Sequence, residues 1–288
     1  MDLNEIQTVD FHMHSTVSDG TDTPREILRK VREAGIDMFS LTDHDACLGC
    51  VEISKIVSEN DPKFVTGIEL SCKDEKGKYH ILGYGYDPED EAIQNVIKLG
   101  HEYRMEKCVA RIEFLKQEFG FEFPKEDIET IMANNNPGKP HIGNMMVKCG
   151  FAESKDEAIS QYINKCDYKS KYVSPKLGIE AILKSKGVPV LAHPSYGNGN
   201  QLIVGDEMQD RIEHLLEFGL KGVEAYYSGF TKKLEREMLW FADKYDLYVT
   251  AGSDYHGKNK LVVLGDTNIE KVSEGTVRLQ RFIADIIK

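Results

Sequence analysis

Ile6-Gln7-Thr8-Val9-Asp10-Phe11-His12-Met13-His14 decides how the rest of the chain is read. Its apolar approach, residues 6–11, has the character of a short buried strand. At the two-residue period of a strand, His12 and His14 point to the same side. Two imidazoles converging from one strand end can hold a metal ion without distorting the backbone. Alone the pair is weak support for a metal site. It gains weight because six further segments place His, Asp or Glu at comparable positions.

Working outward, the strand over 8–13 is followed by a predicted helix over 24–34. Thr21-Asp22-Thr23 can cap that helix and Pro24 fits its first turn. Gly35 ends it, and residues 36–41 form the next strand. A helix over 46–60 and strands over 63–70 and 79–86 come next. Later, helices over 179–186, 210–218 and 232–245 alternate with strands over 188–192, 222–226 and 248–251. This rhythm predicts an α/β fold with a mostly parallel sheet, closed as a β/α barrel, and the motif residues follow strand ends. Residues 99–172 break the rhythm with helices over 97–119, 125–132, 141–149 and 155–164, and a turn at Asn134-Asn135-Asn136-Pro137-Gly138. The expected organisation is a barrel domain from 1–98 and 173–288, with 99–172 a helical insertion serving as substrate-binding element or lid.

The 288 residues suit one large barrel domain or two smaller domains. The net charge of −12 argues against duplex nucleic acid, which needs a broad basic face. It admits a small phosphorylated substrate or a short single strand, because bound cations reverse the local field. Apolar runs fall well short of the ~20 residues of a membrane span. The start, Met1-Asp2-Leu3-Asn4-Glu5, lacks the basic and apolar regions of a signal peptide. A cytoplasmic protein without membrane partners is expected. Cysteines at 47, 50, 72, 108, 149 and 166 show no disulfide framework, in keeping with a reducing compartment. Cys47-x-x-Cys50 offers a competing reading as a redox pair or half of a zinc site, but no second CxxC completes it.

The candidate ligands are His12 and His14 in DFHMHS, Asp19 in SDG, His44 in LTDHD, Glu69 in GIELS, His80 in YHILGY, His193 in LAHPS, and Asp254 and His256 in GSDYH. Mixed imidazole and carboxylate ligands suit Mn²⁺, Fe²⁺ or Zn²⁺. Nine such groups exceed the needs of one ion, whereas two or three ions would use them all. Clustered ions acidify a bridging water and clamp phosphoryl oxygens, the logic of phosphoester hydrolysis. The bland alternative is ordinary capping and core hydrogen bonding. Asp45 could orient His44 or cap the following helix, and Asp10 reads as a supporting or structural group. His101 and His214 read as surface or structural. The Gly-rich stretch 195–200 could cradle phosphate or be a plain loop.

DFHMHSTVSDG, AGIDMFSLTDHD, GIELS, HILGYGYD, LAHPS and GSDYHG, spread from about residue 8 to 258, resemble the motifs of the polymerase and histidinol phosphatase (PHP) superfamily. The resemblance implies a distorted (β/α)7 barrel and a trinuclear metal site holding three divalent ions, Mn²⁺ foremost, with Fe²⁺ or Zn²⁺ as alternatives. Carried over, His12, His14, Glu69 and Asp254 would hold the first metal. Asp19, His44 and His256 would hold the second. Glu69, His80 and His193 would hold the third, with Glu69 bridging. Lys139-Pro140-His141-Ile142-Gly143 is similar to the R-P-H motif of stand-alone members acting on nucleoside 3′,5′-bisphosphates or, in some, on 5′ ends of short RNA. YINKCDYKSKYVSP, 162–175, is similar to their segment ending Y-V-P. Lys139 departs from the usual Arg, and lysine cannot form the bidentate fork. The resemblance thus implies a phosphomonoesterase of nucleotide-like substrates. Arg104, Lys107, Lys139 and His141 would contact substrate. His193, Asp254 and His141 would be catalytic, with His193, His141 or a bound water as general acid. The alternatives are a histidinol-phosphate phosphatase, a 5′ exonuclease on short oligonucleotides, and a non-catalytic, metal-dependent nucleotide-binding module.

Overall fold

The computed structural model describes residues 6–134, 137–196 and 201–287. In chain order its elements are β1 Val9–Asp10, α1 Pro24–Glu33, β2 Met38–Leu41, α2 Leu48–Ile56, β3 Lys63–Asp74, β4 Gly77–Tyr84, α3 Glu91–Phe119, α4 Lys125–Met132, α5 Lys139–Lys148, α6 Lys155–Glu157, α7 Pro175–Lys184, β5 Val188–Leu191, α8 Gly205–Leu216, β6 Gly222–Tyr227, α9 Lys232–Lys244, β7 Tyr248–Gly252 and α10 Val277–Ile286. The chain divides into two compact units, residues 1–97 with 173–288, and residues 98–172.

In the first unit the seven strands form one sheet in sequence order. Phe11 N–H donates to Ala251 O at 2.9 Å and Asp254 N–H to His12 O at 2.7 Å, nearly closing the sheet as a distorted barrel. β1 is shorter than the expected strand. Past Asp10, His12 N–H turns to the Asp10 carboxylate, and the ladder resumes only as a bridge between Met13 and Tyr255. The expected parallel pairing holds for β1–β2–β3 and β5–β6–β7. β4, however, runs antiparallel to both neighbours, because a tight hairpin rather than a crossover helix joins it to β3.

α1 shows how local sequence sets up the barrel end. Thr23 and Glu26 form a reciprocal capping box, with Pro24 in the first turn. Its buried face, Ile27, Leu28 and Val31, packs with Met13, Phe39, Leu41 and Ile53. That burial fixes the loop between β1 and α1, which carries Asp19.

The second unit has its own apolar core of Cys108, Leu115, Ile142, Met146, Ala158 and Ile163. Phe121 and Phe151 stack at 4.5 Å between centroids. The helix expected over 155–164 is instead α6 followed by a π turn, Ala158–Tyr162, and a 3-10 turn, Ile163–Lys165. The wider π turn lets Ala158 and Ile163, five apart, both reach the core. The turn expected at 134–138 and the Gly-rich stretch 195–200 fall partly, and residues 1–5 wholly, outside the described residues. Among the described residues no helix is long and apolar enough to cross a membrane.

Candidate metal centre

Strand ends and loops of the barrel unit bring all nine predicted ligands into overlapping groups. His12 and His14 flank Met13, whose side chain goes to the core while theirs go to the opposite side. The loop carrying Asp19 doubles back tightly: a Cβ at Gly20 would lie 2.3 Å from the His14 carbonyl oxygen, so only glycine fits. Glu69 lies within β3 and His80 within β4. His193 and Asp254 follow β5 and β7 in left-handed backbone conformations, φ 26° and 57°.

Glu69 is the centre. Its Oε2 lies 3.2 Å from His12 Nε2, 3.1 Å from His14 Nε2 and 3.1 Å from His44 Nδ1. Its Oε1 lies 2.8 Å from His80 Nδ1 and 3.2 Å from His193 Nε2. Asp254 Oδ1 is 3.4 Å from His14 Nε2 and 3.6 Å from His12 Nε2. Asp19 gathers a third group, with Oδ1 3.3 Å from His256 Nε2 and Oδ2 4.0 Å from His44 Nε2, and His14 joins it through Nδ1 at 3.8 Å. His12, His14, Glu69 and Asp254 are buried, His44, His193 and His256 partly so, and the Asp19 and His80 side chains, 41% and 35% exposed, mark the opening of the cluster.

Electrostatics follow from this crowding. Burial would raise the Glu69 carboxyl, but His44, His12 and His80 hold it well below the usual carboxylate range. Asp254 is likewise held well below, by His12 and His14 among others, against its burial. Burial presses the His14 imidazole down, yet Asp254 and Glu69 raise it to about 10. For His44 burial wins and lowers it to about 3. The carboxylates therefore stay ionised. His12 Nε2 and His14 Nε2 approach to 3.1 Å, and His80 Nδ1 and His193 Nε2 to 3.3 Å. Ring nitrogens so close, aimed at shared carboxylate oxygens, form a donor set whose lone pairs converge as divalent cations require, and the residues fit such ions.

Supporting groups surround the cluster, and several escape a reading of the sequence. Glu224, fully buried in β6, meets His12 Nδ1 at 2.9 Å through Oε1 and accepts His193 N–H at 2.7 Å through Oε2. The one acidic residue in the apolar strand GVEAYY was the available signal. Asp43 accepts from Ser15 N–H, Ser15 Oγ and Ser18 Oγ, bracing the loop between His14 and Asp19. Tyr227 donates to Asp254 Oδ2 at 2.9 Å, and Lys260 Nζ contacts the same oxygen. Asp10 accepts from Ser253 and Gly265, tying β1 to the end of β7, and burial pushes its carboxyl up to about 6.

Other expectations are corrected. Asp45 does not cap α2; it accepts Ser71 N–H at 2.7 Å and donates its own N–H to Glu69 O, steadying β3. His214 is buried against Asp74 at 2.7 Å, so of the two readings, surface or structural, it is structural, and His101 is half-buried on α3. Cys47 and Cys50 are free, buried thiols, and burial pushes Cys50 up to about 12, the wrong direction for a reactive thiolate or a zinc ligand. Of the predicted substrate contacts, Arg104 and Lys107 lie on α3, while Lys139 and His141 open α5, where His141 Nδ1 accepts Gly138 N–H at 3.2 Å.

A family model described as the PHP domain matches residues 10–164. A phosphoribosyl 1,2-cyclic phosphate 1,2-diphosphodiesterase of Eggerthella lenta is 29% identical, covering 86% of this chain and 94% of the relative. A 5′-3′ exoribonuclease of Haemophilus influenzae is 25% identical over 86% and 89%. A 3′,5′-nucleoside bisphosphate phosphatase of Chromobacterium violaceum is 26% identical over 87% and 88%. Among solved structures, a proposed metal-dependent phosphoesterase of Bifidobacterium adolescentis superposes with a TM-score of 0.78 at 29% identity, covering 91% of this chain and 92% of the other.

Proposed function

Because this chain belongs to the PHP domain family and is a metal-dependent phosphoesterase, a hydrolase of phosphoric ester bonds, we propose that it removes a phosphate from a nucleoside 3′,5′-bisphosphate. The observation that carries the substrate is the basic stripe of the helical unit. Arg104, Lys107 and Arg111 recur about one turn apart on α3, in a protein of net charge −12. Burial lowers the Lys107 ammonium, which donates to Tyr172 at 2.9 Å. Concentrated cations on an acidic protein favour an anionic group beyond the one being cleaved. Lys107, Arg104, Lys139 and His141 are the proposed contacts to that group. The Chromobacterium relative bears a matching name.

His12, His14, Glu69 and Asp254 would hold one cation, Asp19, His44 and His256 a second, and Glu69, His80 and His193 a third, with Mn²⁺ the first choice for all three. Such ions supply an acidified water and positive charge for the phosphoryl oxygens. Glu224 fixes the His12 ring through Nδ1, leaving Nε2 for the cluster. Tyr227 and Lys260 hold Asp254 by its outer oxygen, so Oδ1 faces inward. His193 Nε2 is turned to Glu69, and His193, His141 or a bound water is the proposed general acid.

The test is phosphate release from adenosine 3′,5′-bisphosphate, AMP and histidinol phosphate, with Mn²⁺ and after chelation. Mn²⁺-dependent release from the bisphosphate alone is expected. His141→Ala should lose about tenfold more on the bisphosphate than on an aryl phosphate, and equal losses remove its substrate role. Mononucleotide release from a short RNA, without bisphosphate turnover, would assign the exonuclease activity instead.

A further inference from the structure

Apart from the nine ligands, a further group of metal-binding side chains gathers at the tip of the β3–β4 hairpin. His214 on α8, with Asp74 and Glu75 at the turn, each offer one donor atom, and these atoms lie within 4.8 Å of one another. His214 Nε2 meets Asp74 Oδ2 at 2.7 Å, and the two side chains are 9% and 12% exposed. Phe218 packs edge-on against the imidazole, 4.7 Å between centroids, and fixes the ring. Glu75 is exposed.

The hairpin register separates this corner from the metal centre already described. His80 opposes Ser71 and Tyr79 opposes Cys72, so successive residues take opposite faces. His80 turns to Glu69, whereas Tyr79 shares the other face with Cys72 and Asp74. Tyr79 is 2% exposed, and its hydroxyl is buried and makes no hydrogen bond. Burial pushes this phenol up to about 12, with Arg211 opposing the rise and Asp74 and Glu75 adding to it. The hydroxyl therefore lies in the field of both carboxylates and stays a donor. Arg211 lies over the same ring, 4.3 Å from its centroid, and Glu207 and Asp74 offset its charge. A simple His214–Asp74 hydrogen bond leaves the Tyr79 donor without an acceptor, which is costly for a buried group.

We infer that His214, Asp74 and Glu75 form a separate, structural Zn²⁺ site that clips the β3–β4 hairpin to α8. One imidazole and two carboxylates suit zinc better than Ca²⁺ or Mg²⁺, which favour oxygen ligands throughout. The three side chains leave a fourth position for a water, whose oxygen accepts the Tyr79 O–H. The strands that meet at this hairpin carry Glu69 and His80, so the clip steadies their continuation against α8 without taking part in the reaction. The site does not depend on which phosphoester is cleaved.

The experiment is equilibrium dialysis of the full chain against Zn²⁺, with bound metal counted by mass spectrometry, for the wild type, His214→Gln and Glu75→Gln. The nine barrel ligands are intact in all three, so differences between the isotherms report this corner alone. The wild type is expected to bind one equivalent more than His214→Gln, and Glu75→Gln to hold that equivalent at least about tenfold more weakly. Mn²⁺-supported turnover of p-nitrophenyl phosphate should be unchanged in both variants. Superimposable isotherms overturn the inference. So does a lost equivalent accompanied by lost turnover, which would place that ion in the catalytic centre. Glu75 is exposed, so its variant keeps the fold and decides the question where His214→Gln fails to fold.

Discussion

The ligand end of the barrel unit and the core of the helical unit are both buried, yet they hold together for opposite reasons. At the barrel end, His12, His14 and Glu69 are fully buried polar groups whose placement depends on one another's charge. In the helical unit, Leu115, Ile142, Met146 and the stacked Phe121–Phe151 pair exclude water without any polar partner. The first arrangement is assembled from residues 244 positions apart, His12 to His256, and the second from one continuous stretch. Substitutions should therefore separate cleanly: at the barrel end they remove chemistry, in the apolar core of the helical unit they remove stability.

The largest effect is expected at Glu69, whose two oxygens serve different sides of the cluster. Glu69→Ala should reduce turnover by about 10³-fold or more while the circular dichroism spectrum is kept. Activity within about tenfold of wild type would mean that the barrel end is not where phosphorus reacts. Glu224→Gln comes next. It keeps the shape and removes the charge behind His12 Nδ1, and activity at limiting Mn²⁺ should fall by about 10–100-fold. A variant with unaltered Mn²⁺ dependence would reduce Glu224 to packing.

On the other side of the comparison, Met146→Ala should cost about 2–5 kcal/mol in denaturant unfolding of the helical unit. Aryl phosphate turnover per folded molecule should stay near wild type, and a large drop in kcat would erase the division between the regions. The smallest effect concerns Asp22, which ties α1 to the segment carrying Asp254 and His256 by accepting from Lys30 and Tyr255 at 2.7 Å each. Burial raises its carboxyl, but these bonds outweigh it and hold the carboxyl below its ordinary value. A depressed carboxyl contributes stability above the unfolded pKa and loses it as pH falls through the folded one. The stability gap between wild type and Asp22→Asn, up to about 1 kcal/mol near neutrality, should shrink below about pH 4. A gap constant from pH 7 to 3 would count against the ion pair.

Legibility in the sequence follows the same division. The clustering of these His, Asp and Glu side chains could be read because most sit in short motifs beside apolar strands, and the strands bring those motifs together. Glu224 could not, since a single acid in GVEAYY looks like an edge position until the His12 ring is placed against it. The reversal of β4 escaped because Asp74-Glu75-Lys76-Gly77 carries no strong hairpin dipeptide, and alternation of strands says nothing of direction. The π turn at Ala158–Tyr162 escaped because a five-residue step between core positions fits neither a helix nor a strand period.

Asp45, His193 and Asp254 share a backbone conformation that side-chain-bearing residues seldom adopt, with φ of 50°, 26° and 57°. Glycine would sit there with less strain. Random drift under selection for folding alone would therefore strip the working side chains at these corners first. A thermostability screen of this protein, run blind to catalysis, should enrich glycine or asparagine at positions 193 and 254 and return well-behaved, inert barrels.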